Sequence, residues 1–360
     1  MTPTYDKVHN RFKFNGLHFD HEDLKEVAYS LIKEGEPYEK VTGNFLIDWL
    51  NDDDYLIVHT SGSTGQPKPI KLKKQAMVHS AIATGDFFGL QPGDTALHCL
   101  PSYYIAGKMM FVRALVLGLE IDFVEPSTQP LFDYEKSYDF SAMVPLQLKH
   151  TINYIHNIKK IIVGGAMVTK PLLEKIKSSS SLFFETYGMT ETVTHVALRQ
   201  LESKAGKRQE FFNALPNVKF AQDDRHCLII NAPKLVKEPL VTNDIIDLKS
   251  ETSFKLLGRY DNVVNSGGVK LFPEQIESKL QPVIKQRYII AGEPDIDLGE
   301  KLILIIEGSI ESTDDILKAI QELKTLDKLE IPKKIYTLNK FSETNTGKIQ
   351  RKKTIKAVIG

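Results

Sequence analysis

Between Tyr55 and Tyr187, short apolar runs rich in β-branched residues alternate with helical segments. The predicted strands are YLIVHT, DTALHCLP, EIDFVE, FSAMVP and KKIIVGG, and the predicted helices span residues 74–88, 107–117, 146–157 and 171–177. This alternation predicts an α/β fold in which helices flank a mostly parallel sheet. Ligand loops in such folds follow the carboxyl ends of strands. We therefore expect the loops HTSGSTG, VGGAM and ETYGMTE to gather at one rim.

The pattern changes twice along the rest of the chain. From Thr192, short strands punctuated by Asn, Asp and Pro are typical of a distorted antiparallel barrel. A helix from Pro273, the strands RYIIAG and KLILIIEG, a helix over 313–323 and the strand KKIYTL then form a small α+β unit. We place the boundary near Asp261, which gives a large N-terminal domain, 1–260, and a small C-terminal domain, 261–360.

Composition narrows the possible partners and the compartment. Forty-six basic residues balance forty-six acidic ones, so no overall field draws the chain to nucleic acid or to an anionic membrane. The N-terminal stretch is charged, and the sequence contains no long apolar run. We therefore expect neither a signal peptide nor a membrane span. Cys99 and Cys227 lie in apolar settings, which suits the reducing cytoplasm and excludes a disulfide scaffold.

The stretch HTSGSTGQPK combines hydroxyl side chains with two glycines directly after a predicted strand. Backbone amides in a glycine-rich turn form an anion-binding concavity, to which hydroxyls add donors. The stretch differs from the GxxxxGK[ST] nucleotide loop, because Gly62 and Gly65 are close together and Lys68 stands between prolines, where no helix begins. The stretch is therefore either a phosphate loop whose activating cation comes from elsewhere in the chain, or a plain polar turn.

A second candidate segment, FFETYGMTET, places an aromatic residue, a glycine, a hydroxyl and an acid in five consecutive residues after a strand. Tyr187 offers a flat face to a base, and Gly188 permits a close backbone approach. Thr190 can donate to a phosphate oxygen, and Glu191 can ligate a hard cation such as Mg²⁺. The alternative is a strand end with a packed tyrosine and a solvated acid.

Two further stretches carry single polar candidates. Asp244 in VTNDIIDL can accept both hydroxyls of a ribose, and Arg259 in LLGRYDN can donate to the same sugar or to a phosphate. Taken separately, an aspartate in a surface turn and an arginine in a salt bridge are the favoured interpretations. Lys348 follows the turn NTG in a lysine-rich segment and would present one long cation at a loop tip. The segment lacks the interleaved aromatics and motifs of a nucleic-acid site, so we favour a specific role for Lys348.

Taken together and in this order, these segments resemble the core motifs of the acyl-adenylate-forming superfamily, which contains acyl- and aryl-CoA synthetases, nonribosomal adenylation domains and luciferases. The matching segments are TSGSTGQPK, VGGAM, YGMTE, TND, GRYDNVVNSGGVKLFPEQIE and NTGKIQRKK. The resemblance implies an enzyme that uses ATP, Mg²⁺ and coenzyme A to activate a small carboxylic acid. It also implies a mobile C-terminal domain that turns about a hinge at Asp261 between acyl-adenylate and thioester formation.

The resemblance also assigns roles to residues. Lys348 would bridge the acid and the α-phosphate, as charge stabilisation rather than proton transfer. The β and γ phosphates would be held by Thr60, Ser61, Gly62, Ser63, Thr64 and Gly65, with Lys68 as an accessory. Adenine would be framed by Gly164, Gly165, Ala166, Glu185, Thr186 and Tyr187, followed by Gly188. Asp244 and Arg259 would hold the ribose, Thr190 the α-phosphate, Glu191 the magnesium ion, and Gly267 and Gly268 the pantetheine of CoA.

Within the superfamily, the YIAGKMM segment and DNVVNSGGVKLFPEQIE look most like the o-succinylbenzoate–CoA ligases of menaquinone biosynthesis. Such a dicarboxylate needs a polar or cationic partner for its second carboxylate, and the candidates are Lys108 and His195. Tyr104 stands where many CoA ligases carry a gating histidine. The alternatives are another aryl- or acyl-CoA ligase, an adenylation enzyme that loads a carrier protein, and a nucleotide-binding regulator without catalysis. Retention of Glu191 and Lys348 argues against the regulator.

Overall fold

The computed structural model describes residues 2–60, 68–310, 312–344 and 349–360. The helices are α1 (His21–Glu34), α2 (Pro37–Leu50), α3 (Lys74–Phe88), α4 (Ile105–Leu117), α5 (Pro145–Thr151), α6 (Lys170–Ile176), α7 (Pro273–Leu280), α8 (Thr313–Gln321) and α9 (Arg351–Ile359). Short 3₁₀ helices span Thr190–Thr192, Tyr260–Asn262 and Lys328–Glu330.

The strands of the first 260 residues are β1 (Lys13–Phe14), β2 (Leu17–His18), β3 (Tyr55–Thr60), β4 (Lys68–Lys73), β5 (Thr95–His98), β6 (Glu120–Phe123), β7 (Tyr138–Met143), β8 (Ile158–Val163), β9 (Leu182–Gly188), β10 (His195–Gln200), β11 (Phe212–Ala214), β12 (Lys219–Gln222), β13 (Cys227–Asn231), β14 (Leu240–Ser250) and β15 (Ser253–Arg259). The later strands are β16 (Val264–Ser266), β17 (Val269–Leu271), β18 (Tyr288–Asp295), β19 (Gly299–Glu307) and β20 (Lys334–Leu338).

One large sheet organises the first part of the chain, in the order β12-β13-β14-β15-β11-β10-β9-β8-β7-β5-β6-β1-β2. The strands from β9 through β8, β7, β5 and β6 to β1 run parallel, and helices connect several of them. The strands from β10 to β12 are antiparallel and extend the same sheet, so the region predicted as a distorted barrel is joined edge to edge to the parallel strands. The predicted α/β class is confirmed.

Strand β3 differs from the prediction. It pairs antiparallel with β4, from Tyr55 opposite Lys73 to Thr60 opposite Lys68, and this hairpin is separate from the large sheet. The sequence KPIKLK was not recognised as a strand, because proline and lysine are uncommon in strands. Of the three loops expected at one rim, those after β8 and β9 therefore share the rim of the parallel sheet. Residues 61–67 of the third lie outside the described residues.

The predicted helices are present, and some of them begin or end at other residues than predicted. Helix α3 has the predicted limits, whereas α5 ends at Thr151 rather than at residue 157. The helices before the first loop were not predicted. Asp20 caps α1 by accepting from the backbone amides of Glu22 and Asp23, and Pro37 begins α2, so both helices start with standard signals.

The hydrophobic residues form separate clusters on either side of the Tyr260–Asn262 turn. The buried residues of two clusters lie within 12–254, and those of the two others lie within 264–341. In the second part, the predicted strands β18, β19 and β20 form a sheet together with the β16–β17 hairpin, which was not predicted. None of the helices in the described residues is long and apolar enough to cross a bilayer.

An ion pair inside the second part fixes the start of the last helix. Arg351, the first residue of α9, donates at 2.5 Å to both carboxylate oxygens of Glu277 and at 3.0 Å to the carbonyl of Ile290. Burial raises the pKa of Glu277 although Arg351 opposes the shift. Removing one partner of such a buried pair costs about 3–5 kcal/mol. The pair therefore holds the segment that follows residues 345–348 against the sheet.

Candidate active site

A cavity of about 240 Å³ opens where the parallel strands end. Strands β8 and β9 lie side by side there, with Val163 opposite Glu185. The lining of the cavity includes Gly164 and Gly165 after β8 and Thr186 and Gly188 of β9. The loops VGGAM and ETYGMTE, which the sequence singled out, thus meet at one site.

Glycine is required at the β8 exit. A Cβ atom at Gly164 would lie 2.3 Å from the hydroxyl oxygen of Thr186, well inside contact distance. Gly165 has a φ of +84°, a conformation that side chains rarely adopt. The Thr186 hydroxyl donates to the carbonyl of Val163 at 3.3 Å and so ties the two strand ends together. Ala166 follows as an exposed residue at the same rim.

Asp244 and Arg259 come together as the sequence predicted. They are opposite one another on β14 and β15, and Arg259 Nη1 donates to Asp244 Oδ1 at 3.2 Å. The hydroxyl of Tyr187 donates to the other oxygen, Oδ2, at 2.6 Å. Burial, followed by the charge of Asp244, raises the pKa of Tyr187. Asp244 is thus a buried carboxylate fixed between two donors. The sequence did not predict that Tyr187 is one of them.

A strained turn connects the Thr190–Thr192 3₁₀ helix to β10. Val193 is buried with φ 68° and ψ −58°, which is unusual for a β-branched residue. The amide of Thr194 donates to the carbonyl of Thr192 at 2.8 Å across this γ-turn. Strain of this kind persists only where the surroundings impose it, and it is common at functional sites. Here it brings Thr190 and His195 to the wall of the same cavity.

The donor set near Glu191 suits a metal ion that arrives with a nucleotide. Glu191 is exposed, and the described residues contain no group of three or more His, Cys, Asp or Glu that could hold a metal ion. Mg²⁺ is usually bound through one or two carboxylates together with substrate phosphates and water. One carboxylate beside Thr190 fits that chemistry. Glu185, in contrast, pairs with Arg199 at 2.6 Å.

The sequence reading missed Arg113, the most unusual residue of the cavity. It lies on α4, is 1% exposed, and lines the cavity. Its donors face Thr84 Oγ1 at 3.4 Å, Met110 Sδ at 3.7 Å and His195 Nδ1 at 3.5 Å. Among the described residues no carboxylate pairs with it, and burial lowers its pKa to about 9, so it remains a cation at neutral pH. An unpaired buried charge costs several kcal/mol, which favours a site for an anion.

His195 lies next to this arginine. Its Nε2 is 3.3 Å from Thr84 Oγ1, and its Nδ1 faces the guanidinium of Arg113. Burial and then the Arg113 charge hold the pKa of His195 well below its usual range. The imidazole is therefore neutral and accepts from Arg113. Of the two candidates for a polar or cationic partner, His195 lines the cavity as a neutral polar group.

Lys108 and Tyr104 lie elsewhere. The ammonium of Lys108 is 4.7 Å from the ring centroid of Phe45, and Lys108 is not part of the cavity lining. It precedes Arg113 by five positions on α4 and so occupies a different helix face. Tyr104 is the N-cap of α4, is 39% exposed, and lies 5.2 Å from the Tyr103 ring.

The remaining predicted residues lie at the junction and the hairpin. Asp261 lies in the Tyr260–Asn262 turn, where its carboxylate accepts from Asn243 at 3.2 Å and faces Arg259 at 3.5 Å. Gly267 and Gly268 form the turn between β16 and β17, with φ of +58° and +81°. Positive φ at both central residues is typical of a tight hairpin. Lys348 and Ser61 to Gly65 lie outside the described residues, as does the side chain of Thr60, whose backbone pairs with exposed Lys68.

The fold and this site define a nucleotide-dependent enzyme. Residues 17–220 match the model of the AMP-binding enzyme family, and the chain belongs to that family. It is similar to the 2-succinylbenzoate–CoA ligase of Listeria monocytogenes, with 27% identity over 91% of this chain and 74% of that protein. The crystal structure of an acyl-CoA synthetase (AMP-forming)/AMP-acid ligase II-like protein from Dyadobacter fermentans is 34% identical, covers 92% of this chain and 98% of that one, and has a TM-score of 0.61.

The fold is also that of the o-succinylbenzoate CoA synthetase of Bacillus subtilis, which was solved with its acyl-adenylate intermediate. That structure has a TM-score of 0.74 at 16% identity and covers 95% of each chain. The same synthetase has been solved with ATP and magnesium ion. The superfamily assignment made from the sequence motifs is confirmed.

Proposed function

We propose that this protein is an ATP-dependent acid–CoA ligase that converts o-succinylbenzoate to o-succinylbenzoyl-CoA in menaquinone biosynthesis. The observation that carries the choice of acid is Arg113, a buried cation at the cavity wall with no carboxylate partner among the described residues. A monocarboxylic acid would leave this charge unpaired once its carboxylate had been activated. The second carboxylate of a dicarboxylic acid can pair with it. The similarity to a 2-succinylbenzoate–CoA ligase supports the same acid.

The chemistry takes two steps. In the first, an oxygen of the aliphatic carboxylate attacks the α-phosphorus of ATP, and the bond to pyrophosphate breaks. In the second, the thiolate of CoA attacks the acyl carbon and AMP leaves. We assign Gly164 to Ala166 and β9 to the adenine, Asp244 and Arg259 to the ribose, and Thr190 to the α-phosphate. Bound at Glu191 and the phosphates, Mg²⁺ would supply positive charge to the leaving pyrophosphate.

We assign the first step to Lys348, which would neutralise the two anions that have to meet. The loop from Thr60 to Gly65 would hold the phosphates that leave, and the Gly267–Gly268 turn would line the path of pantetheine. We place the reaction in the cytoplasm, since the free thiols of Cys99 and Cys227 are buried and suit a reducing compartment.

Two domains joined at Asp261 would serve the two steps. The separate hydrophobic clusters on either side of Tyr260–Asn262 support a division into 1–260 and 261–360. Few side chains cross the junction in the described residues: Asn243 donates to Asp261 at 3.2 Å, Arg259 faces Asp261 at 3.5 Å, and the amide of Lys170 donates to Gln281 Oε1 at 2.7 Å. Asn243 lies in β14, and its side chain also links Asp261 to Arg225, whose Nη1 donates to Asn243 Oδ1 at 3.0 Å.

Pyrophosphate release with a panel of acids tests the function. We expect ATP, Mg²⁺ and o-succinylbenzoate to release pyrophosphate, and CoA to convert the adenylate to the thioester. Release with other acids but not with o-succinylbenzoate would contradict the proposed substrate. If the protein binds ATP but mass spectrometry detects no acyl-adenylate, the proposed catalytic activity is contradicted.

Asp261→Pro tests the hinge. Proline fixes φ near −65° and would restrict the rotation between the two steps. We expect adenylation to persist while thioester formation is strongly reduced. Asp261→Ala is the matched control, because it removes the same carboxylate without fixing φ. Stopped-flow measurement of each half-reaction separates the two steps, and normal thioester formation by Asp261→Pro would place the hinge elsewhere.

A further inference from the structure

The loop between β9 and β10 carries the two side chains assigned to the α-phosphate and to magnesium. Thr190 is half-buried at the cavity wall, and Glu191 is exposed. The next residue, Thr192, is fully buried although it follows directly in the same 3₁₀ helix. A hydroxyl buried in this way is stable only with hydrogen-bond partners. The partners of Thr192 therefore indicate what this residue does for its two neighbours.

The hydroxyl of Thr192 bridges the two ends of the loop. It accepts from the amide of Met189 at 3.1 Å. Its hydrogen faces the carbonyl oxygens of Met189 at 2.9 Å and of Thr194 at 2.7 Å. Met189 precedes the 3₁₀ helix, and Thr194 precedes β10. Backbone groups from both ends of the loop therefore meet at one side-chain oxygen.

The bridge spans a backbone conformation that needs outside support. Val193, between Thr192 and Thr194, has φ 68° and ψ −58°, and a γ-turn of this sign is rare and strained. The end of the loop also packs against β9, since a Cβ atom at Gly188 would lie 2.3 Å from the carbonyl oxygen of Thr194. The Thr194 carbonyl is thus fixed by its close contact with Gly188 and by the Thr192 hydroxyl.

We propose that Thr192 is a positioning residue for acyl-adenylate formation, whose buried hydroxyl fixes the strained loop and thereby the places of Thr190 and Glu191. The inference rests on the proposed function, because it assumes that Thr190 serves the α-phosphate and Glu191 the magnesium ion. Without the hydroxyl, the Met189 amide and the Thr194 carbonyl lose this partner, and the turn is released from one of its two restraints. Thr190 and Glu191 lie between the bridged ends and move with the loop.

The test measures how strongly Mg²⁺ tightens the binding of ATP, because this measurement needs no acid. The measured quantity is the ratio of the Kd for ATP in EDTA to the Kd for ATP in saturating Mg²⁺, from calorimetry. We expect Thr192→Val to lower this ratio by about tenfold, since losing a group that orients a metal ligand costs about 10- to 100-fold in metal affinity or activity. Glu191→Gln removes the charge of the ligand itself and should lower the ratio at least as much.

Matched variants separate the hydroxyl of Thr192 from the packing of its side chain. Thr192→Ser keeps the hydroxyl, loses the methyl group and should keep the wild-type ratio. Thr192→Ala is a second variant without the hydroxyl, and thermal melting identifies the folded proteins. Thr151→Val is the control on α5, because Thr151 is also fully buried and its hydroxyl donates to the carbonyl of Gln147 at 2.8 Å. Thr151 lies outside the loop and the cavity lining, so its variant should leave the ratio unchanged.

The outcomes distinguish this inference from the proposed function. If Glu191→Gln lowers the ratio and the folded Thr192→Val and Thr192→Ala proteins do not, the positioning inference fails. Equal losses in Thr192→Ser and Thr192→Val would also overturn it, because packing rather than the hydroxyl would then hold the loop. If Glu191→Gln leaves the ratio unchanged, the magnesium role of Glu191 fails and the inference fails with it. If the ratios change as expected but the wild-type protein releases no pyrophosphate with o-succinylbenzoate, the proposed acid is wrong and the inference stands.

Discussion

Lys348→Ala is expected to lose acyl-adenylate formation by about a hundredfold to a thousandfold, the range measured when one preorganised group that stabilises developing charge is removed. The same variant should still convert a supplied acyl-adenylate to the thioester. The reason is that carboxylate and α-phosphate repel each other only in the first step. Once the adenylate exists, the CoA thiolate attacks a neutral acyl carbon, and the lysine has no pair of anions to bridge.

Two single-turnover measurements check this result. Pyrophosphate release reports the first step, and thioester formation from a supplied acyl-adenylate reports the second. Lys353→Ala is the matched control, since Lys353 is an exposed residue of α9 in the same basic segment. It should leave both steps near the wild-type rate. Equal losses in both steps for Lys348→Ala would contradict its assignment to adenylation.

The sequence predicted the fold class because the signal was periodic and repeated. Apolar runs and amphipathic helices alternate over more than a hundred residues, and few folds other than a parallel sheet with covering helices satisfy that pattern. The partner of a single strand is less well determined. YLIVHT has the composition of a buried parallel strand, yet it pairs with KPIKLK beyond the loop. Which partner a strand takes depends on tertiary contacts that the local pattern does not contain.

The candidate site shows the same difference between what local motifs predict and what depends on tertiary contacts. Gly164, Asp244 and Arg259 were predicted because they lie in motifs whose spacing is visible in the sequence, and the structure brings Asp244 to Arg259 as expected. Arg113 was missed because one arginine in an apolar helix usually extends its head to solvent. Its burial depends on packing against Thr84 and His195, which are distant in sequence. The one available signal was a charge within the apolar run of α4.

Arg113→Met is expected to lower kcat/KM for o-succinylbenzoate by about thirtyfold to about four-thousandfold. Removing one partner of a buried, hydrogen-bonded charge pair costs about 2–5 kcal/mol, and each 1.4 kcal/mol is a factor of ten. An analogue that lacks the ring carboxylate, 4-oxo-4-phenylbutanoate, should show no such loss. With this acid the wild-type cation has no partner, whereas methionine provides an apolar wall of similar length.

Stability provides an independent test of the same charge. A buried cation without a carboxylate partner destabilises the folded state, and apolar residues in place of buried charges are often neutral or stabilising by about 1–4 kcal/mol. Arg113→Met should therefore melt at the same temperature as the wild-type protein or at a higher one, while losing activity on the dicarboxylate.

Lys108→Met is the matched control on α4, because Lys108 lies outside the cavity lining and should not alter the preference between the two acids. If Arg113→Met lowers kcat/KM equally for both acids, the arginine has a structural role in the cavity. A selective loss in a protein of unchanged or higher stability would assign it to the second carboxylate, since the two acids differ only in that group.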